Sequence, residues 1–250
     1  MSRVLQRLYL VYAATVFVAL LLLVFPLAVV ASLFGETTGT NAVFRICNYW
    51  ADVWFFLVGL RYEAIYESPM PKGTSVVFIA NHLSYLDGPM LARAIRQPVR
   101  ALGKAEMARI PLFGYVYKNA LVTVDRSNPE NRSKSLRQLQ HMLDTGISVF
   151  VFPEGTFNET GQPLKDMYDG AFKLAIETGK PLHPVLFLDS YARMPYHNHA
   201  ALNPGRCRVV FLKPISTEEM ILADVPQLKE QAAQAMSEAL IRYKASWIKA

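Results

Sequence analysis

Cysteine is nearly absent from this chain of 250 residues. Cys47 and Cys207 stand far apart, which excludes a disulfide framework and a cysteine-built zinc site. No arginine-rich tract and no nucleic-acid-reading module is present, so nucleic acid is not an expected partner despite a formal net charge of +6. There is no G-x-S-x-G elbow, and neither cysteine lies near a histidine in sequence, so the familiar enzyme nucleophiles are missing. Internal repeats are also lacking.

Charge is absent from residues 8–34, LYLVYAATVFVALLLLVFPLAVVASLF. As a helix these residues would extend roughly 40 Å, more than the hydrocarbon of a bilayer. The run is too long for a signal peptide and has no small-x-small cleavage site, so a membrane anchor is expected. A second apolar stretch, VFRICNYWADVWFFLVGL (43–60), carries Arg45 and Asp52, which argue against an independent span, and tryptophans that suit a water–lipid interface. Two arrangements follow. One is a single span, with Arg3 and Arg7 holding the N-terminus in the cytoplasm; the other is a helical hairpin dipping into one leaflet, with a kink at Pro26. The domains are therefore 1–60, a membrane-associated helical hairpin, and 61–250. The second part holds 23 Lys+Arg against 18 Asp+Glu, a surface drawn to anionic headgroups or phosphorylated substrates.

Beyond residue 60 short β-branched runs alternate with helical patterns. SVVFIA (75–80), ALVTVD (120–125), SVFVFP (148–153), LHPVLFLD (182–189) and CRVVFLK (207–213) read as strands. Between them Leu136, Leu139 and Leu143 recur at helical spacing, as do Leu164, Tyr168, Ala171, Phe172, Ala175 and Ile176. The fold class is α/β: a mainly parallel central sheet covered by helices, with an N-terminal membrane-embedded two-helix element. Functional residues of this class collect where strands end and helices begin. The final stretch, VPQLKEQAAQAMSEALIRYKASWI, reads as an amphipathic helix that covers the sheet and nothing more, with membrane contact through Trp247 and nearby lysines as the alternative.

NHLSYLD (81–87) lies at such a junction. Ser84 and Asp87 have capping-box spacing, which starts a helix at Ser84. His82 then stands in the preceding turn, where the chain can fold Asp87 back beside it. A carboxylate on one imidazole nitrogen sets the tautomer and frees the other nitrogen to accept a proton. The alternative is a capping turn and nothing more. With no enzyme nucleophile, such a base would activate the substrate's own hydroxyl or amine.

These residues resemble the glycerophospholipid acyltransferases, specifically the 1-acylglycerol-3-phosphate acyltransferases. NHLSYLD matches the first motif of that family. GKAEMARIPLFG (103–114) followed by VDR (124–126) matches the second, FPEGT (152–156) the third, and the Pro-Val of LHPV (182–185) the fourth. The resemblance implies that a histidine deprotonates the sn-2 hydroxyl of lysophosphatidic acid. That hydroxyl then attacks the thioester of acyl-CoA or acyl carrier protein, giving phosphatidic acid. Carried over, His82 is the base and Asp87 its orienter, while Lys104, Arg126, Glu154, Gly155 and Thr156 belong to the acceptor region. For Lys104 and Arg126 the alternative is a solvated surface charge, and for Glu154 a carboxylate that pins its turn. No cofactor or metal is implied; His197 and His199 lack a third metal ligand.

A cytosolic acyl donor implies a catalytic domain facing the cytoplasm, on the cell inner membrane or another cytoplasm-facing membrane, and favours the leaflet-embedded hairpin. Two residues depart from the family pattern: Phe157 where the third motif commonly continues with arginine, and Asp169 where relatives often carry lysine. Both reduce positive charge near the acceptor, with Lys165 and Arg126 as compensating candidates. Another lysophospholipid or an amine-containing lipid is the alternative acceptor. A non-catalytic lipid-binding protein and a lipid hydrolase are the competing classes.

Overall fold

The charge-free run forms α1, Arg3–Ser32, in the computed structural model, which describes residues 3–248 except Lys72 and residues 125–128. The helix continues through Pro26, and it is long and apolar enough to cross a bilayer by length and composition. A π-helical turn, Gly35–Gly39, returns the chain into α2, Thr40–Leu57. The two helices run antiparallel. Tyr9 Oη donates to Val58 O at 2.6 Å and Trp54 Nε1 to Ala13 O at 3.1 Å.

Of the tryptophans of the second apolar stretch, Trp54 is buried and Trp50 half-buried. Trp54 is buried between the helices, Trp50 stacks on it with centroids 5.7 Å apart, and Phe17 of α1 meets both edge-on. Asp52 pairs with Arg93, Nε to Oδ1 at 2.9 Å, and with Arg96. Asn48 Nδ2 donates to Ala92 O and Ile95 O. One face of α2 is therefore docked on protein, while Val11, Val18, Leu22, Leu23, Leu27 and Val30 of α1 remain exposed.

Seven strands follow: β1 Leu60–Tyr66, β2 Val77–Ala80, β3 Val99–Lys104, β4 Leu121–Val124, β5 Ser148–Val151, β6 Leu182–Phe187 and β7 Gly205–Phe211. Their order is β1-β7-β6-β2-β5-β3-β4. β2 to β6 are parallel; β7 pairs antiparallel with β6, and β1 parallel with β7. The sheet is thus mainly parallel, as its sequence pattern implies. β1 and β3 escape that pattern because each carries charge. Arg61 and Glu63 lie on edge strand β1. Arg100 of β3 is buried, its guanidinium held by Thr40 Oγ1, Asn41 Oδ1 and Val99 O.

Side chains alternate across the strands with period two. Phe78, Phe150, Phe187 and Phe211 face the layer that holds α2, α3 (Asp87–Ala94) and α4 (Phe113–Ala120). Val77, Ile79, Val149, Leu182, Leu186 and Val210 face the layer of α5 (Pro129–Asp144), α6 (Gly170–Thr178) and α8 (Val225–Arg242). Each fully buried Phe or Ile contributes about 1.5–3 kcal/mol of transfer free energy, so the two faces make the sheet a fixed platform.

Two sequence expectations shift here. Leu164 and Tyr168 lie before α6, because Tyr168 N is drawn to Pro153 O at 2.9 Å and the chain stays irregular until Gly170. Trp247 is buried and donates Nε1–H to Gln162 O at 3.2 Å, so it closes the protein rather than touching a membrane. Residues 190–206 include a short helix, α7, Ser190–Arg193.

Candidate active site

Because β2 to β6 are parallel, their carboxyl ends share one edge of the sheet, where Asn81 succeeds β2, Ala105 succeeds β3 and Phe152 succeeds β5. Asn81 is fully buried. Its Nδ2 donates to Phe187 O at 3.0 Å and its Oδ1 accepts from Phe187 N at 2.9 Å. The side chain makes both bonds that a continuing strand would have made to the end of β6. The main chain is thereby released to turn at His82.

Asp87 begins α3 and is fully buried. Its Oδ2 accepts from Leu83 N at 2.8 Å, from Ser84 N at 2.9 Å and from His82 Nδ1 at 2.8 Å. An oxygen already accepting two amide protons acts as an acceptor toward the ring as well, so Nδ1 carries the imidazole proton and Nε2 keeps its lone pair. This fold-back also moves the helix start from Ser84 to Asp87. Ser84 Oγ instead accepts from Leu86 N at 3.0 Å and donates to Met194 O at 2.5 Å.

The peptide of His82 is gripped from both sides by the segment after β5. Its N–H donates to Glu154 Oε1 at 2.9 Å, and its carbonyl accepts from Asn158 N at 2.7 Å. The imidazole lies against Phe152, with centroids 4.1 Å apart, and against Phe157 at 4.5 Å. Tyr85 meets Phe157 edge-on at 4.9 Å. Phe152 stacks on the ring and Phe157 is tilted against it, and 22% of the side chain is exposed, so a substrate can reach it.

Glu154 is buried, and its second oxygen accepts from Lys165 N at 2.9 Å. Burial pushes its carboxyl from the ordinary 4.5 up to about 7, against the pull of the two amide bonds from Lys165 and His82. Both oxygens thus serve the main chain. Gly155 adopts φ 73°, a conformation that side chains disfavour, and lets the chain turn back after Glu154. Thr156 is exposed and accepts from Lys165 Nζ at 2.7 Å.

Lys104 stands exposed at the end of β3, with Nζ 3.5 Å from Glu106. Arg126 lies outside the described residues. Asp169 pairs with Lys229 of α8 at 3.1 Å, so its carboxylate is neutralised there. Among the described residues no group of three or more His, Cys, Asp and Glu is placed to hold a metal ion. Asn81, Phe152 and Asn158 were not singled out by the sequence. Asn81 and Phe152 stood within the motifs NHLSYLD and FPEGT without a role of their own, and Asn158 lies seven residues beyond the end of β5.

Residues 63–188, which contain His82, Asp87, Glu154 and Lys165, match the family model of the acyltransferases. The chain belongs to the acyltransferase family. A chloroplastic 1-acyl-sn-glycerol-3-phosphate acyltransferase of Brassica napus is 30% identical over 173 residues, 68% of this chain and 49% of that one. The 1-acyl-sn-glycerol-3-phosphate acyltransferase of Salmonella typhimurium is 29% identical over 165 residues, 65% of this chain and 66% of that one. The chain spans about half the length of the plant relatives it matches. The crystal structure of the 1-acyl-sn-glycerophosphate acyltransferase PlsC from Thermotoga maritima superposes with a TM-score of 0.77 at 20% identity. That match covers 99% of this acyltransferase chain and 98% of the other, which places the fold.

Proposed function

We propose that this acyltransferase moves an acyl chain from acyl-CoA or acyl carrier protein to the sn-2 hydroxyl of 1-acylglycerol 3-phosphate, forming phosphatidic acid. One observation carries the reading: Asp87 Oδ2 accepts from His82 Nδ1 at 2.8 Å while two main-chain amides hold the same oxygen. His82 Nε2 takes the hydroxyl proton as the oxygen attacks the thioester carbon. The tetrahedral intermediate collapses, the carbon–sulfur bond breaks, and the departing thiolate recovers the proton from the imidazolium. Asp87 holds the ring and stabilises its cationic form. Lys104, Arg126, Glu154, Gly155 and Thr156 form the acceptor side, with Glu154 acting through the main chain it holds.

Residues 1–60 serve as the membrane-associated hairpin and 61–250 as the acyltransferase domain. The exposed Val and Leu face of α1 supports this division, since water would not tolerate so wide an apolar surface. A hairpin in one leaflet, on the cytoplasmic side of the inner membrane or an equivalent membrane, lets a lysolipid reach His82 without leaving the bilayer.

The test is acyl transfer by purified protein in detergent, with labelled acyl-CoA and acyl carrier protein offered in parallel to a panel of lysophospholipids. Labelled phosphatidic acid is the expected product. Transfer undiminished in His82→Ala would overturn the general-base assignment, and fatty acid release without acceptor would make the protein a hydrolase.

A further inference from the structure

The site lacks a cation at position 157, where the ring of Phe157 lies on His82 instead. A cation is nevertheless tied to the His82 peptide from eight residues further along the same segment. The buried carboxylate of Glu154 joins His82 N to Lys165 N, 2.9 Å on either side, so one side chain sets the distance between the two main chains. The Lys165 ammonium donates to Thr156 Oγ1 at 2.7 Å, beside Phe157. An ammonium has three donors, and a neutral hydroxyl occupies one. Among the described residues no carboxylate lies within 4.0 Å of it, although the buried Glu154 carboxylate feels its charge, whereas Lys104 faces Glu106 and Lys229 is held by Asp169.

Resting on the acyl-transfer reading, we propose that Lys165 is the specificity-determining residue for a phosphate-bearing acceptor in this chain: Thr156 steers its ammonium onto the anionic headgroup, while Phe157 and Tyr85 form the uncharged wall beside the imidazole. A lysine suits this place because a point charge on a flexible stem does not need the planar two-point fit that a guanidinium requires. The segment between Glu154 and Lys165 is braced for the purpose. Asn158 Nδ2 donates to Gln162 O at 2.9 Å, and its Oδ1 accepts from Thr160 N at 3.0 Å.

The experiment compares the wild-type chain, Lys165→Met and Lys165→Arg in detergent, with 1-acylglycerol 3-phosphate and 1-monoacylglycerol as acceptors. For Lys165→Met the ratio of kcat/KM between the two acceptors should fall at least tenfold, through KM for the phosphate-bearing lipid, and Lys165→Arg should restore most of it. An unchanged ratio overturns the proposal, as does an equal loss on both acceptors. A second readout separates this from the reaction itself. Calorimetric titration with 1-acylglycerol 3-phosphate in uncharged micelles should show binding that is weakened in Lys165→Met and retained in His82→Ala. Binding that depends on Lys165 in a protein that transfers no acyl chain would keep the lysine's role and reject the reaction. Binding equally strong in Lys165→Met rejects the lysine's role. Free glycerol 3-phosphate, titrated alongside, distinguishes a headgroup site that needs the lipid from one that takes the phosphate ester alone.

Discussion

His82 Nδ1 lies 2.8 Å from Asp87 Oδ2, across five residues that are not helical. In a regular helix, positions five apart point about 140° from one another. The contact exists because Leu83 and Ser84 donate their amides to the same carboxylate, which wraps the turn around it. Asp87 thus builds the turn and orients the imidazole with a single oxygen, so its two roles separate only by substitution.

Replacing His82 with alanine should lower kcat by about 10²–10⁴-fold and also lower stability, because the buried Asp87 carboxylate loses a donor. Asp87→Asn should lower kcat comparably and also reduce the thermal midpoint, because the turn amides lose a charged acceptor. Labelled acyl transfer and thermal unfolding, measured on the same preparations, check both. Equal stability of Asp87→Asn and wild type would contradict the structural half.

Glu154 makes stability depend on pH in an unusual direction. Its folded carboxyl, raised from 4.5 to about 7, holds a proton more readily than the unfolded chain does. Its stabilising contribution is therefore full below pH 4.5 and is lost as the pH rises toward about 7, a change of about 3 kcal/mol. Glu154→Gln does not titrate, so the stability difference between wild type and this variant should shrink over that window. Denaturant unfolding from pH 5 to 8 measures it; a difference that grows with pH would reverse the assigned shift.

Asn81→Ala should destabilise by about 1–3 kcal/mol for each main-chain group of Phe187 left buried without a partner. It should also lower kcat, since the turn at His82 starts from this anchor. Loss of stability with unaltered kcat would separate the anchor from the placement of His82.

Gly114→Ala should disturb the segment after β3. A Cβ at this position would lie 2.2 Å from Ala108 O and 2.6 Å from Ala108 C, main-chain atoms that cannot swing aside. The 3-10 turn Ala105–Arg109 must then part from α4. Faster proteolysis within 104–114 and a lower thermal midpoint are the expected outcomes. Wild-type behaviour would mean that this close approach is relaxed in solution.

Much of the sheet was legible because its inner strands are short runs of Val, Ile and Phe such as VFIA and SVFV, buried on both faces. β1 and β3 were hidden by charged residues: Glu63 and Arg61 lie on an edge strand, and Arg100 is buried only because Asn41 and Thr40 of α2 receive its guanidinium. That satisfaction comes from 59 and 60 residues away, beyond any local pattern. Trp54 misled for a similar reason, since its indole N–H finds Ala13 O within the helix pair and not an outer interface.

By itself the sequence determined the long apolar helix, the alternation of strands with helices and the presence of His82 and Asp87 at a strand end. These are local properties, set by side-chain type and spacing over a few residues. The tertiary structure decided that Asp87 leaves Nε2 as the free nitrogen, that Asn81 ends β2 by bonding Phe187, and that Glu154 ties His82 to Lys165. Those contacts join residues up to 106 positions apart. Hydrogen bonds of that range require the strands to be in register, which no local pattern of side chains fixes.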